Sequence, residues 1–101
     1  MTDEELQRSF ASGDAAQRER LLRETIRTQV AALLALRTVE DDGNFLELGL
    51  NSLSAIELTK KLMTITDMEI PLVTIVDHPT PARLASHLAG EYSGAGEGLP
   101  R

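Results

Sequence analysis

The feature that most constrains this chain is the stretch from Ala15 to Leu36, where Leu22, Ile26, Val30, Leu33 and Leu34 recur at helical spacing. A helix of that length carries a continuous apolar stripe, which other elements have to cover. Its solvated side holds Glu19/Arg23 and Arg20/Glu24, pairs of opposite charge at i,i+4. A second helical pattern runs from Ser52 to about Thr66, with Ala55, Leu58, Leu62 and Ile65 in one stripe. A third starts with Thr80 as N-cap and Pro81 in the first helical position, turns Leu84, Ala85 and Leu88 inward and fades near Gly90. Only 3% of residues are aromatic while 42% are hydrophobic, so aliphatic side chains and alanine build the core.

The one strand-like segment is "IPLVTIVD" at 70–77, rich in β-branched residues. No other segment offers it a partner, and a lone strand leaves its backbone groups unpaired. Pro71 suits the first position of a short helix instead. The expected fold class is therefore all-α, a small bundle of three main helices plus one short helix.

The flanks read differently. Thr2-Asp3-Glu4-Glu5 matches a capping box and predicts a possible extra short helix over the first eleven residues. "ASGD" at 11–14 breaks it. Residues 37–51 form a loop, with Glu40-Asp41-Asp42 and Gly43-Asn44 followed by Phe45, Leu46, Leu48 and Leu50; a loop that apolar is tucked across the core. "SGAGEGLPR" has the composition of a linker. The expected division is an N-terminal extension at 1–14, a single domain at 15–92 and a flexible tail or linker at 93–101.

Several function classes drop out on inventory. With no cysteine there is no thiolate nucleophile and no thiolate metal site, and the absence fits a reducing compartment such as the cytoplasm. The start, "MTDEELQRS", is not a secretory signal, and "VAALLAL" at 30–36 is far too short to span a membrane. Residues 1–37 hold six acids and six bases; residues 38–101 hold ten acids and four bases and carry the whole net charge of −6. That acidity argues against nucleic acid and anionic membranes, and suits basic protein partners or plain solubility.

The junction "FLELGLNSLSAIELTKKL", residues 45–62, holds the candidate site. Ser52 sits where the loop meets the helix, with Gly49 three residues before it. As a hydrolase nucleophile it lacks the G-x-S-x-G elbow, because position 54 is serine, and no aspartate is placed to orient His78 or His87. As a structural cap it competes with Asn51, also a favoured N-cap residue, and Ser54-x-x-Glu57 is a further capping box. As an attachment point it projects a hydroxyl into solvent, where a phosphodiester would meet free backbone N–H groups at the helix start. Gly49 would let a modifying enzyme approach closely. A second stripe on the same helix, Leu53, Ile56, Lys60 and Met63, is more than one small helix can bury and suggests a partner surface. His78 and His87 read as solvated or packing residues, and Glu40-Asp41-Asp42 lacks the twelve-residue calcium-loop pattern, so no metal site is expected.

"FLELGLNSLSAIELTKKL" resembles the acyl carrier protein signature, in which a loop ending G-x-D-S-L opens the second helix. "DHPTPARLASHL" resembles the segment before the last helix in carrier domains of modular polyketide synthases, and "LLRETIRTQVAALLAL" is similar to their first helix. The match runs from about Ala15 to Tyr92. The resemblance implies a four-helix carrier-protein bundle that is not itself an enzyme. It implies 4′-phosphopantetheine, from coenzyme A, attached to Ser52 by a phosphopantetheinyl transferase, with Gly49, Asn51 and Leu53 flanking. Acyl or polyketide intermediates would ride on that arm as thioesters, presented by a monomeric domain to ketosynthase, acyltransferase or other synthase partners. Leu53, Ile56, Glu57 and Lys60 would form the partner surface. Asn51 departs from the usual aspartate: it still caps the helix but removes a negative charge, worth on the order of 1 kcal/mol to an exposed basic contact. Lys60 and Lys61 make the second helix less acidic than in fatty-acid carriers. The alternatives are a peptidyl carrier domain of a nonribosomal synthetase and, from another class, a helical interaction module in which Ser52 only caps.

Overall fold

A computed structural model describes residues 2–97 and places six helices among them. They are α1 (Asp3–Ser12), α2 (Ala15–Leu34), α3 (Phe45–Leu48), α4 (Ser52–Thr66), α5 (Leu72–Asp77) and α6 (Pro81–Glu97). The fold class is all-α, as the periodicities predict, with the three main helices at α2, α4 and α6 and the short helix at α5.

The helix ends follow local chemistry. Thr2 Oγ1 accepts from the Glu5 N–H at 3.2 Å while Glu5 Oε1 accepts from the Thr2 N–H at 3.1 Å, the predicted capping box. Asp14 and Gln17 make a second box at the start of α2, both bonds 2.9 Å. Thr80 Oγ1 accepts from the Arg83 N–H at 3.1 Å, with Pro81 in the first position of α6. Pro71 sits one residue earlier than expected, as the N-cap of α5, where its fixed φ of −65° and extended ψ deliver the chain into the helix. α2 closes at Leu34 rather than Leu36 because Ala35 turns left-handed, at φ 56° and ψ 41°.

α2 packs most extensively on α6, and the two run antiparallel: Arg18 near the start of α2 meets Tyr92 late in α6. Leu22, Ile26 and Val30 of α2, Leu58, Leu62 and Ile65 of α4, and Leu84, Ala85 and Leu88 of α6 are buried together. Buried Thr59 and Thr66 satisfy their hydroxyls by donating to the carbonyls of Ile56 and Leu62, each at 2.8 Å. No buried side-chain polar atom lacks a partner among the described residues.

Three expectations change. The N-terminal helix forms, but it is docked rather than set apart: Phe10 is 1% exposed and lies edge-on to Tyr92, centroids 4.6 Å apart. Arg18 fastens this corner by donating from Nε to the Phe10 carbonyl at 3.0 Å, its guanidinium lying 4.6 Å from the Tyr92 ring centroid. Residues 37–51 are not all loop, because α3 occupies 45–48 with Phe45 buried. The acidic run anchors this segment: Asp41 receives Arg27 at 2.9 Å and Arg23 at 3.6 Å, and its carbonyl accepts from the Ala82 N–H. Finally, α6 does not fade at Gly90 but runs on to Glu97. Gly90 weakens a helix locally by about 1 kcal/mol, and packing of Leu88, Ala89 and Tyr92 against the bundle outweighs it. The expected flexible tail is thus helical as far as 97, and residues 98–101 lie outside the described residues.

Of the predicted ion pairs on α2, Glu19–Arg23 is present at 3.8 Å. Arg20 and Glu24 form none among the described residues; both are exposed, where such a pair contributes only a few tenths of a kcal/mol by rough estimate.

Candidate functional site

The junction between α3 and α4 is built from backbone constraints. Asn44 caps α3 by accepting from the N–H groups of Leu46 at 2.9 Å and Glu47 at 3.2 Å. Four residues later the helix must stop, and Gly49 stops it at φ 106° and ψ 14°. The Gly49 N–H donates to the Leu46 carbonyl and the Leu50 N–H to that of Phe45, closing the turn. A Cβ at position 49 would meet nothing within 4 Å, so it is the backbone conformation that requires glycine. The open space beside it also fits the reading that a modifying enzyme approaches here.

Leu50 then drops into the core and Asn51 turns the chain outward in an extended conformation. Asn51 is the N-cap of α4. Its Oδ1 accepts from the Ser54 N–H at 2.9 Å and from the Ser54 hydroxyl at 3.0 Å, and its carbonyl accepts from the Ala55 N–H at 2.8 Å. Ser54 is thus bound to Asn51 instead of capping onward to Glu57. Ser52 is left as the first residue of α4, exposed, its hydroxyl without a hydrogen bond among the described residues. The structural-cap alternative for Ser52 is answered by Asn51, which does that work.

Ser52 and Asn51 sit on the rim of an apolar cleft of about 300 Å³, whose walls include Phe45, Leu50, Ala55 and Ile75. On α4 the predicted core stripe, Ala55, Leu58, Leu62 and Ile65, is buried in full. The second stripe faces outward as its spacing implies: Leu53 is 69% and Ile56 40% exposed, with Glu57 and Lys60 exposed beside them and Met63 half-buried. Sequence reasoning missed the other half of this surface. Leu46 of α3 and Leu72, Val73 and Val76 of α5 are also exposed, and Leu46, Leu72 and Val76 line the same cleft as Ser52. The signal was present in "IPLVTIVD", which holds more aliphatic side chains than a helix of two turns can bury.

The remaining candidates lie elsewhere. His78 and His87 are brought together, rings stacked with centroids 4.0 Å apart, and His87 Nε2 lies 3.5 Å from a Glu91 carboxylate oxygen. Neither lines the cleft at Ser52. Among the described residues no group of three or more His, Asp or Glu side chains is arranged to hold a metal ion. Among the described residues no helix is long and apolar enough to cross a membrane.

The geometry suits attachment of an anionic group: an unengaged hydroxyl at a helix start, donors nearby and apolar surface around it. Residues 24–88 match the family described as phosphopantetheine attachment site. The chain is 41% identical over 87 residues to the spectinabilin polyketide synthase system protein NorA' of Streptomyces orinoci, covering 83% of this chain and 2% of that protein. It is 34% identical over 105 residues to the pikromycin polyketide synthase component PikAII of Streptomyces venezuelae, covering 97% of this chain and 3% of that protein. The chain thus spans only a few per cent of the length of these relatives. Among solved structures, the A1-type ACP domain from module 5 of MLSA1 superposes with a TM-score of 0.72 at 30% identity, covering 88% of this chain and 92% of that one. BlmI, a type-II acyl carrier protein from Streptomyces verticillus involved in bleomycin biosynthesis, gives 0.70 at 26% identity, covering 75% and 92%.

Proposed function

The chain belongs to the phosphopantetheine-attachment family as a carrier domain of polyketide synthase type, and from that premise we propose that Ser52 is the residue bearing the arm. The observation that carries the assignment is a contrast within one turn. Ser54 donates its hydroxyl to Asn51, while the Ser52 hydroxyl is exposed and unengaged.

4′-Phosphopantetheine is the family's covalent cofactor; its terminal thiol holds acyl groups as thioesters. In the proposed loading step Ser52 Oγ would bond to the pantetheine-bearing phosphorus of coenzyme A as the pyrophosphate P–O bond breaks, and adenosine 3′,5′-bisphosphate would leave. A phosphopantetheinyl transferase supplies the base that takes the hydroxyl proton. The remaining N–H groups of the first turn of α4 would be available to the resulting anion, that of Ser54 being already bound to Asn51 Oδ1, and the helix dipole would favour it. Asn51 and Gly49 keep the turn in shape, and Leu53 flanks the serine on the outer face.

The domain then carries cargo while partner domains make and break bonds. Ketosynthase, acyltransferase and other synthase domains would dock on Leu53, Ile56, Glu57 and Lys60, with the α5 aliphatics Leu72 and Val76 extending that surface. Exposed aliphatic side chains rimmed by charge are the usual composition of a transient interface. The reading further holds that the domain acts as a monomer in the cytoplasm.

The test is intact-protein mass spectrometry after incubation with coenzyme A, magnesium and a broad-specificity transferase. Wild type gains one phosphopantetheinyl group and Ser52→Ala gains none. A gain in Ser52→Ala, or peptide mapping to Ser54, overturns the assignment.

A further inference from the structure

We propose that Asn51 is a positioning residue for the arm, holding the phosphodiester on Ser52 through the N–H of its own carboxamide. The inference rests on Ser52 being the attachment residue.

The orientation of the Asn51 amide is fixed by chemistry. The backbone N–H of Ser54 can only donate, so the atom it reaches at 2.9 Å is the side-chain oxygen. The Ser54 hydroxyl donates to that same oxygen. Both hydrogen bonds that orient the carboxamide therefore come from Ser54 and both end on Oδ1. The NH₂ group occupies the other branch and finds no acceptor among the described residues, in an exposed side chain on the rim of the cleft that Ser52 shares.

A phosphodiester on Ser52 Oγ is an anion whose free oxygens only accept. The adjacent residue offers two solvent-facing N–H donors that no protein acceptor engages among the described residues, and no negative charge to repel it. An N–H bond to an ionised acceptor is roughly twice as strong as a neutral one. Glu47 and Glu57, exposed on α3 and α4, cannot play this part, because a carboxylate offers the phosphate no donor. Asn51 thus does two jobs with the two ends of one group: its oxygen caps α4 and its nitrogen steadies the root of the arm. An aspartate here would keep the first job and lose the second.

The experiment compares wild type, Asn51→Asp and Asn51→Gly, each loaded with coenzyme A by a transferase and verified by mass. Both substitutions spare the fold: aspartate caps as well as asparagine, and glycine at an N-cap costs only about a few tenths of a kcal/mol. On loading the wild type, the Asn51 side-chain N–H₂ pair moves in the nitrogen–proton correlation spectrum and exchanges with water severalfold more slowly. The phosphorus resonance of the arm is broader in the wild type than in either variant. An Asn51 pair unmoved by loading, with the same phosphorus linewidth in all three proteins, overturns the inference and leaves the attachment site standing. Failure of the wild type to load overturns both together.

Discussion

Gly49 offers the sharpest test of how the turn between α3 and α4 is built. At φ 106° and ψ 14° it lies where an L-residue is strained, and no atom within 4 Å would touch an added Cβ. The effect of Gly49→Ala is therefore a backbone effect alone. Holding a residue with a side chain in such a conformation costs roughly 1–3 kcal/mol. Against this, alanine loses less freedom on folding than glycine, which returns about 0.4–1 kcal/mol. The net loss is on the order of 1–2 kcal/mol, and for a domain of this size each kcal/mol lowers Tm by about 4–8 °C. The assay is thermal unfolding followed by helical circular dichroism. D-alanine at position 49, introduced by chemical ligation, is the matched control, because it favours positive φ; Tm should hold or rise. An unchanged Tm for the L-alanine protein refutes the conformational account. A Tm that falls as far for the D-alanine protein refutes it as well. Loading by a transferase well below Tm separates a further role: a slower rate with folded L-alanine protein than with wild type shows that the open space matters for approach of the enzyme.

Phe10→Ala should destabilise by about 3–5 kcal/mol, as for other fully buried aromatics, because its ring is 1% exposed against Tyr92 and Arg18. Denaturant unfolding checks this, and a loss below about 1 kcal/mol would mean that α1 is an appendage after all. Ala35→Gly should raise stability by roughly 1 kcal/mol, since Ala35 holds φ 56° at the end of α2; a lower Tm would contradict the left-handed turn. Asp41→Asn should cost no more than about 1 kcal/mol, and less in high salt, because its pairs with Arg23 and Arg27 are half-exposed. A larger, salt-independent loss would show that the loop depends on that carboxylate more than its exposure implies. Ile56→Glu should leave Tm and transferase loading nearly unchanged while weakening transfer to a ketosynthase at least severalfold. Unaltered transfer kinetics would remove Ile56 from the proposed docking surface.

What the sequence determined by itself is whatever a single element can encode. Helical spacing set α2, α4 and α6 and their inward faces, since a stripe such as Ala55, Leu58, Leu62 and Ile65 has only one way to hide. The capping boxes at Thr2 and the Thr80-Pro81 start were legible for the same reason: each bond spans three residues. The outward stripe of Leu53 and Ile56 and the position of Ser52 at the head of α4 also follow from local spacing. The tertiary structure decided what depends on residues distant in sequence. α1 belongs to the core because Phe10 finds Tyr92 and Arg18, a meeting no local pattern announces. α6 outruns Gly90 because packing, not propensity, sets its length. Leu46 and Val76, far apart in the chain, share the cleft with Ser52 because the backbone of Phe45 bonds to that of Pro79 at 2.8 Å. Which residue caps α4 stayed open in the sequence, where Asn51, Ser52 and Ser54 all compete; the structure has Asn51 Oδ1 accept from Ser54 and leaves Ser52 exposed.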